Sequence, residues 1–448
     1  MLLRVADLVI VGGGLAGCEA AWQAARRGLT VDLYEMKPVR RSPAHISDGF
    51  AELVCSNSLR SAVVSNAVGL LKEEMRRLDS LVMRAADATA VPAGRALAVD
   101  RVAFSEHITD AVVSHPRIRV RHEVVDRIPD APLAILATGP LTAPELAAEI
   151  QSLLGEESLY FYDAISPTLY MDSIDVEVVF RASRYEDGDG DYLNVPLDED
   201  RYRGFVSSLL TAETVPLHPF EAALYFEGCL PIEELARRGP ATLAFGPMKP
   251  VGLVDPRTGR RPAAVVQLRR EDKHGVLVNM VGFQTKLRIG EQRRIFRALP
   301  GLGKAVFARY GSIHRNTYIN APRLLGPTLE LRARPGLYVA GQMAGVEGYV
   351  ESAALGGLAG IHAWHAARGQ ALPLPPAETA HGALLRHLGD ADPAHFQPMN
   401  VNFGLFPPLL SRSPGSPTGP RIPKREKNRL LAERALESLA SYAQAVAP

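Results

Sequence analysis

The amino-terminal part of the chain reads V-A-D-L-V-I-V-G-G-G-L-A-G over residues 5–17 and T-V-D-L-Y-E over residues 30–35. The apolar, β-branched run that ends at Val11 predicts a strand buried on both faces of a parallel sheet. Alanine-rich residues 15–27 predict a helix, with Gly28 at its carboxyl-terminal cap, and residues 30–35 predict a second strand. Strand, glycine turn, helix and strand within about thirty residues form the βαβ unit that binds a dinucleotide.

Three glycines and one acid in this unit are the residue types that a dinucleotide requires. Gly12 permits a sharp turn, Gly14 lets backbone N–H groups approach a pyrophosphate, and Gly17 lets the helix pack closely on the strand. A carboxylate at Glu35 can accept both hydroxyls of an adenosine ribose. The alternative is a glycine-rich loop that serves packing alone. The predicted cofactor-binding residues of this unit are Ile10, Val11, Gly12, Gly13, Gly14, Leu15, Ala16, Gly17 and Glu35.

Two later glycine turns indicate that the dinucleotide is FAD. Ala137-Thr138-Gly139 follows one apolar run, and Tyr338-Val339-Ala340-Gly341-Gln342 follows another near the carboxyl terminus. Both are similar to sequence marks of two-domain flavoproteins, in which the late strand faces the flavin end of FAD, so Gly139 and Gly341 join the predicted site. Residues 356–360 repeat the letters of the first glycine turn without a preceding strand, which predicts a closely packed helix and not a second nucleotide site.

A site built from both ends of the chain implies an inserted middle part. The predicted fold is therefore α/β, with a doubly wound, Rossmann-like FAD-binding domain made of residues 1–157 and 320–448. An inserted α/β domain is predicted for residues 158–319. Helical spacing predicts one helix over residues 69–86, and seven acidic residues predict a solvated loop over residues 186–200.

The composition excludes several classes of protein. The chain has 448 residues, about three times the ~150 expected of one domain. Its 47% hydrophobic and 22% charged residues are typical of a globular protein, and a net charge of +1 indicates no class of partner. No apolar run approaches the ~18 residues that span a bilayer, and the amino terminus has no cleavable signal pattern. We therefore expect no membrane partner and a cytoplasmic location, whereas the oligomeric state is not indicated.

Three cysteines lie far apart, at Cys18, Cys55 and Cys229, which excludes a disulfide framework and a Cys-x-x-Cys pair. Cys18 lies inside the predicted first helix and is interpreted as a small packing residue. Cys55 and Cys229 lie in polar, turn-prone stretches ahead of predicted helices, where the pKa of a thiol can fall. An isolated cysteine in such a place is more often structural. His362 and His365 share a helical face without a third ligand, so no metal site is predicted.

A series of short motifs follows in a specific order along nearly the whole chain. They are residues 12–17, 43–45 (P-A-H), 52–58 (E-L-V-C-S-N-S), 92–94 through 100–101, 226–235, 245–253 (F-G-P-M-K-P-V-G-L), 281–285 (V-G-F-Q-T), 314–318 (H-R-N-T-Y), 345–352 (G-V-E-G-Y-V-E-S) and 397–400 (Q-P-M-N). In this order they resemble the bacterial folate- and FAD-dependent tRNA (uracil-5-)-methyltransferases. A related family, the flavoproteins that modify the wobble uridine of tRNA, shares several motifs. It has a long carboxyl-terminal helical region for which this chain is too short.

The resemblance implies methylation of C5 of the T-loop uridine in tRNA. The carbon would come from 5,10-methylenetetrahydrofolate and the electrons from FADH2, which NAD(P)H regenerates. The resemblance also implies that Cys229 is the nucleophile that adds to uracil C6. Cys55 would lie by the flavin, as the base that removes the C5 proton or as an aid to methylene transfer; the two roles are interchangeable at this point. His314 would stack on the folate pterin, whereas without the resemblance a hydrogen-bonded turn histidine is an equal interpretation.

Charge is distributed unevenly along the chain. Residues 257–297 contain eleven Lys or Arg against three Asp or Glu, with Phe283 and Phe296 among them. RNA affinity depends mostly on phosphate neutralisation, so this segment and residues 421–434 are predicted tRNA surfaces, although such runs are more often solvated faces. Three other functions stay open, and the flavin-dependent modification of the wobble uridine of tRNA is the nearest of them. A metabolic flavin oxidoreductase would need neither functional cysteines nor the basic segment, and a non-enzymatic FAD-binding RNA partner would tolerate the loss of Cys229.

Overall fold

The computed structural model of the protein describes residues 6–155, 159–184, 190–216, 230–409 and 422–448. Its strands are, in chain order, β1 (Leu8–Val11), β2 (Val31–Glu35), β3 (Ser58–Ser61), β4 (Ala90–Val91), β5 (Ala96–Val99), β6 (Ile118–His122), β7 (Ala134–Leu136), β8 (Leu159–Ile165), β9 (Thr168–Tyr170), β10 (Phe180–Arg181), β11 (Tyr192–Leu197), β12 (Ala264–Arg270), β13 (Leu277–Met280), β14 (Phe307–Arg309), β15 (Ser312–Tyr318) and β16 (Leu337–Val339). Its α-helices are α1 (Leu15–Arg26), α2 (Ala67–Arg77), α3 (Leu81–Ala88), α4 (Arg101–Ser114), α5 (Pro144–Leu154), α6 (Glu199–Leu210), α7 (Ile232–Arg237), α8 (Thr242–Phe245), α9 (Ile289–Arg297), α10 (Ala321–Leu324), α11 (Tyr349–Ala367), α12 (Ala380–Asp390) and α13 (Lys424–Ala445).

Strand β1 lies at the centre of a five-stranded parallel sheet with the order β16-β7-β1-β2-β6. The side chains of Ile10 and Val11 point to opposite faces of the sheet and both are buried, as expected of a strand covered on both faces. The carboxyl ends of parallel strands lie at the same edge of the sheet, so the turns after β1, β7 and β16 meet there. The predicted Rossmann-like sheet, built from both ends of the chain, is confirmed.

Helices α1 and α11 pack with their backbones in direct contact. A Cβ atom on Gly356 would lie 2.1 Å from the carbonyl oxygen of Ala16, and one on Gly360 would lie 2.4 Å from that of Ala20. Any larger residue would force the two helices apart. The predicted closely packed helix at residues 356–360 is therefore confirmed, and its partner is the helix that follows the glycine turn.

A six-stranded antiparallel sheet with the order β10-β11-β12-β13-β9-β14 forms the middle part of the chain. Strand β8 precedes this region in sequence and β15 follows it, and the two strands pair as an antiparallel ribbon. A smaller sheet, β3-β5-β4, lies within the amino-terminal part. The chain therefore enters and leaves the middle region through the β8–β15 ribbon.

Buried apolar side chains form two large clusters. One draws on residues 8–150 and 318–446, and the other on residues 169–305. The division into residues 1–157 with 320–448 and residues 158–319 stays a prediction, which the two clusters support. Among the described residues, no helix combines the length and the apolar character that a bilayer crossing requires.

The prediction of a single helix over residues 69–86 is wrong. Helix α2 ends at Arg77, and Asp79 adopts a left-handed conformation with φ of 61°. The side chain of Ser80 then accepts a hydrogen bond from the backbone N–H of Met83 and caps α3. Serine favours helix N-caps, so it starts a new helix where the apolar spacing alone suggested a continuous one.

The prediction of a solvated loop over residues 186–200 is also wrong for residues 192–200, whereas residues 186–189 lie outside the described part of the structure. Strand β11 pairs with β12 and buries Val195, and α6 begins directly after it. The side chain of Asp198 caps this helix by accepting a hydrogen bond from the backbone N–H of Arg201, and Glu199 and Asp200 occupy its first turn. Acidic residues are stabilised at a helix N-terminus, so their number does not indicate a loop.

Candidate functional site

The glycine turn after β1 is shaped by contacts that exclude side chains. Gly12 has φ of 108°, and a Cβ there would lie 2.5 Å from the carbonyl oxygen of Ala137. A Cβ on Gly17 would lie 1.8 Å from the carbonyl oxygen of Gly12. Gly14 is different, because a Cβ there would meet nothing within 4 Å. The turn is therefore closed on its protein side and open at the N-terminus of α1.

Glu35, at the end of β2, is a buried carboxylate that binds the glycine turn. Its Oε2 accepts a hydrogen bond from the backbone N–H of Gly13 at 2.8 Å, and its Oε1 accepts one from the backbone N–H of Lys37 at 2.9 Å. Charge-assisted bonds of this kind are roughly twice as strong as neutral ones. Glu35 therefore fixes the turn relative to the second strand.

An open cleft of about 1140 Å³, a volume that includes solvent at its mouth, runs along the carboxyl edge of the parallel sheet. The predicted site residues that line it are Val11, Gly12, Gly13, Gly14, Leu15, Ala16, Glu35, Gly139 and Gly341. Ile10 and Gly17 do not line it: Ile10 is fully buried in β1, and Gly17 packs against Gly12. These two residues support the cleft from behind.

Several lining residues were not singled out from the sequence, namely Lys37, His45, Gln342, Tyr349 and Ser352. His45 belongs to the motif P-A-H, Tyr349 and Ser352 belong to G-V-E-G-Y-V-E-S, and Gln342 ends the stretch 338–342, so the sequence contained a signal for each of them but not for Lys37. Burial, followed by the charge of Lys37, lowers the pKa of His45. The imidazole of His45 is therefore biased toward its neutral form at the wall of the cleft.

The three cysteines differ in their surroundings. Cys18 is fully buried in α1, and its Sγ lies 3.2 Å from the carbonyl oxygen of Gly13. Burial raises the pKa of this thiol far above its ordinary value, which confirms the interpretation as a packing residue. Cys229 lies outside the described residues.

Cys55 does not itself line the cleft, but its neighbours Val54 and Tyr349 both do, so it lies beside the cleft. The backbone N–H of Cys55 donates a hydrogen bond to the hydroxyl of Tyr349 at 2.8 Å, and Sγ lies 2.9 Å from the same oxygen. Tyr349 is the first residue of α11. Tyr349, which follows β16 and its glycine turn, therefore holds Cys55 in place although the two residues are 294 positions apart in sequence.

Three arginines bind the residues on either side of Cys55, a stretch defined here as the cysteine segment, residues 53–57. Arg101 donates to the carbonyl oxygen of Leu53 at 2.7 Å, and Arg309 donates to that of Val54 at 2.5 Å. Arg269 of β12 reaches Oγ of Ser56 at 2.7 Å. Arg101 and Glu271 also form a buried ion pair. The segment is thus held by groups from both parts of the chain.

The structure corrects the prediction that residues 257–297 form one electrostatic surface. Arg269 is only 5% exposed, and Phe283 and Phe296 are core residues of the middle region. Ion pairs also neutralise several cations of the segment. These pairs join Arg257 to Asp255, Lys286 to Glu234, Arg288 to Glu213, and Arg294 to Glu291. Exposed cations remain in this segment, but the count of basic residues overestimated the positive charge that the segment presents to solvent.

The second basic cluster, residues 421–434, is also partly neutralised. Arg429 forms ion pairs with Glu426 and Glu433, and Arg434 donates to the carbonyl oxygen of Pro408 at 2.9 Å. Arg421 lies outside the described residues. What remains of this cluster is a helix surface of mixed charge.

The predicted histidines separate into two cases. The backbone of His314 belongs to β15, but its side chain lies outside the described part of the structure. His362 is fully buried, its Nδ1 lies 2.7 Å from the carbonyl oxygen of Thr328, and burial lowers its pKa to about 4. Within the described residues, no group of three or more His, Cys, Asp and Glu side chains is arranged to hold a metal ion.

The parallel sheet, the glycine turn and the cleft define a flavoprotein with a Rossmann-like dinucleotide site. The sequence profile of glucose inhibited division protein A matches residues 7–371. Two solved structures of Aquifex aeolicus GidA share this fold with a TM-score of 0.71. They are 16% and 18% identical, and the matches cover 100% and 99% of this chain and 74% and 76% of theirs.

Relatives that match over almost their whole length define the family more narrowly. A protein of Heliobacterium modesticaldum is 56% identical over 97% of both chains. One of Geotalea uraniireducens is 59% identical over 96% of this chain and 97% of its own. Both carry the name methylenetetrahydrofolate--tRNA-(uracil-5-)-methyltransferase TrmFO. The chain belongs to this family, as the resemblance of its motifs predicted.

Proposed function

We propose that this protein transfers a one-carbon unit from 5,10-methylenetetrahydrofolate to C5 of the T-loop uridine of tRNA, with FAD as redox cofactor and NAD(P)H as electron source. One observation carries the proposal: in this chain of the TrmFO family, Tyr349 holds Cys55 beside a dinucleotide cleft, where its thiol would be near a base bound next to the flavin. A reaction on tRNA with these soluble cofactors belongs in the cytoplasm.

The residues of the cleft fit FAD. Gly14 leaves the N-terminus of α1 open, so backbone N–H groups and the helix dipole would hold the pyrophosphate. Glu35 would accept hydrogen bonds from the adenosine ribose, and Gly341 and Gln342 would lie toward the flavin end. When reduced by NAD(P)H, FAD supplies the two electrons that convert the transferred carbon into a methyl group.

The cysteines account for the activation of the base. Uracil C5 is a weak nucleophile until a group adds to C6, and a thiolate suits this step because it adds and leaves readily. Cys229 is assigned this addition from the family resemblance, and Cys55 is assigned the removal of the C5 proton or assistance in carbon transfer. The opposite assignment of the two thiols is tested by the variants described below.

Folate and tRNA are assigned to the residues that remain. His314, on β15, would stack on the folate pterin as the resemblance implies. Arg260 and Arg261 are exposed on the basic segment, so they are better candidates for contacts with T-arm phosphates than the buried Arg269.

The activity is tested with an unmodified tRNA transcript, NADPH and isotopically labelled methylenetetrahydrofolate. Nucleoside analysis should detect labelled ribothymidine, and a transcript with cytidine in place of the T-loop uridine should remain unlabelled. Label in a wobble nucleoside, or no labelled nucleoside with FAD-loaded protein, would refute the proposal.

The roles of the thiols are tested with tRNA that contains 5-fluorouracil, which traps the covalent adduct because fluorine replaces the proton that must leave C5. Cys229→Ser should abolish the adduct, whereas Cys55→Ala should retain FAD and the adduct but lose turnover. Cys18→Ala is the matched control and should retain both. An adduct that requires Cys55 and not Cys229 would reverse the two assignments.

A further inference from the structure

The hydroxyl of Tyr349 makes three contacts with the cysteine segment. It accepts hydrogen bonds from the backbone N–H groups of Cys55 at 2.8 Å and Ser56 at 3.4 Å, and it lies 2.9 Å from Sγ of Cys55. A phenol oxygen has two acceptor sites and one proton. Because two backbone N–H groups occupy the acceptor sites, the proton is directed at the sulfur, so Tyr349 donates and Cys55 accepts.

Toward the sulfur of Cys55, the hydroxyl of Tyr349 acts as the donor. Burial raises the pKa of its hydroxyl well above the ordinary value, so the phenol keeps its proton at neutral pH. Its backbone is fixed as the first turn of α11, directly after Gly348, whose φ is 107°. The hydroxyl is therefore a fixed and permanently protonated partner of the thiol.

Three arginines contact the cysteine segment that carries this thiol. Arg101 and Arg309 donate to the backbone carbonyl oxygens of the two residues before Cys55. Arg269 donates to the side chain of Ser56, the residue after Cys55. The cations near the segment are Arg101 of α4, Arg269 of β12 and Arg309 of β14. The anions are Glu271, which follows β12, and Glu52, which precedes the segment. Glu271 is paired with Arg101, and Glu52 lies 4.0 Å from Lys37, so the cations prevail.

We propose that Tyr349 is a positioning residue that donates its O–H to Sγ of Cys55 and, with Arg101 and Arg309, holds this thiol as a reactive thiolate. On ionisation the thiol proton leaves to solvent, and the phenol retains its own. A hydrogen bond to the charged form and nearby positive charge both favour that form. The link to methyl transfer rests on the proposed function, whereas the state of the thiol does not.

The test measures alkylation of Cys55 by iodoacetamide as a function of pH, in FAD-loaded protein that carries Cys229→Ser, with peptide mapping to isolate residue 55. Tyr349→Phe removes only the hydroxyl. It should move the midpoint of the profile up by about one pH unit or more, which is about a tenfold smaller thiolate fraction at neutral pH. Tyr338→Phe removes a buried hydroxyl from β16 and should leave the profile unchanged.

If Tyr349→Phe fails to retain FAD, a second pair of variants tests whether the surroundings of Cys55 stabilise its thiolate. Arg309→Gln should move the profile in the same direction, and Arg309→Lys, which keeps the charge, should move it less. Unchanged profiles in both Tyr349→Phe and Arg309→Gln would overturn the proposal. With methyl transfer assayed in parallel in protein that retains Cys229, Tyr349→Phe should lower kcat and leave the KM for tRNA unchanged. A shifted alkylation profile, together with no methyl transfer by FAD-loaded protein that retains both Cys55 and Cys229, would refute the proposed function alone.

Discussion

Nε of Arg269 donates a hydrogen bond to Oδ1 of Asn57 at 3.0 Å. Arg269 belongs to β12 of the middle region, whereas Asn57 ends the cysteine segment. The side-chain amide of Asn57 also donates to the carbonyl oxygens of Val99 and Arg270, each at 2.9 Å. The position of Cys55 relative to the cleft therefore depends on the junction between the two parts of the chain.

Replacement of this arginine should impair catalysis without weakening the electrostatic attraction of tRNA. Arg269→Met leaves the oxygens of Asn57 and Ser56 without their donor, and a lost buried contact of this kind costs about 1–3 kcal/mol. We expect kcat to fall by about tenfold or more, with an unchanged slope of log Kd against log salt. Arg261→Met, at an exposed site, should show the opposite pattern. A flatter salt dependence for Arg269→Met would mean that this side chain contacts RNA.

The carboxylate of Glu35 should control the affinity for FAD. In Glu35→Gln, the amide offers one acceptor oxygen to the N–H groups of Gly13 and Lys37 and turns a donor toward the other. We expect the Kd for FAD, measured by fluorescence titration of the apoprotein, to rise by about tenfold or more, since such bonds contribute about 1.5–3 kcal/mol. Glu123→Gln removes the same charge from the same cleft and should have a smaller effect. If the two variants raised the Kd for FAD equally, Glu35 would contribute only its negative charge and not its specific hydrogen bonds.

The contact between α1 and α11 should tolerate no side chain. Gly356→Val would place a Cβ 2.1 Å from the carbonyl oxygen of Ala16, in the first turn of the helix that faces the cleft. We expect the protein to lose about 3 kcal/mol of unfolding free energy in urea, together with affinity for FAD. Gly389→Ala is the control, because a Cβ on Gly389 of α12 meets nothing within 4 Å. A Gly356→Val protein as stable as the parent would show that the helices can separate without cost.

Local patterns predicted what depends on neighbours in sequence. In the β1-turn-α1-β2 unit, α1 and β2 were predicted to within one residue and the end of β1 was predicted at Val11, since the strand, the glycine turn and Gly28 with φ of 98° each have a local cause. Gly139 and Gly341 were predicted because they repeat the same strand-and-glycine pattern at the same edge of the sheet. Ile10 and Gly17 were included in the site by their motif, although they only support it.

Contacts between distant parts of the chain could not be predicted in this way. The bond between Arg269 and Ser56 joins residues 213 positions apart, and no local spacing encodes it. Arg269 is buried whereas Arg270 is partly exposed, because neighbouring residues of a strand point to opposite faces. A count of basic residues cannot separate the two, so it treated a structural arginine as an RNA contact.

Lys72 should make the stability of the fold depend on pH. Its side chain is fully buried in α2, Nζ donates to the carbonyl oxygen of Leu59 at 2.7 Å, and burial, followed by the charge of Arg60, lowers its pKa to about 7. An unfolded lysine keeps its proton to about pH 10.4. Between these values the unfolded chain binds more protons than the folded protein, so the contribution of Lys72 to stability rises with pH.

The variant Lys72→Met removes this dependence. Relative to the parent, it should be most favourable below pH 7, where the folded protein must bury the ammonium group, and its advantage should shrink by roughly 3–5 kcal/mol as the pH approaches 10. Loss of the bond to Leu59 adds an offset that does not vary with pH. Urea unfolding at several pH values measures the difference, and Lys304→Met, at an exposed site, should give a difference that is constant with pH. A constant difference for Lys72→Met would mean that Lys72 keeps an ordinary pKa in the folded protein, with its charge compensated inside the core.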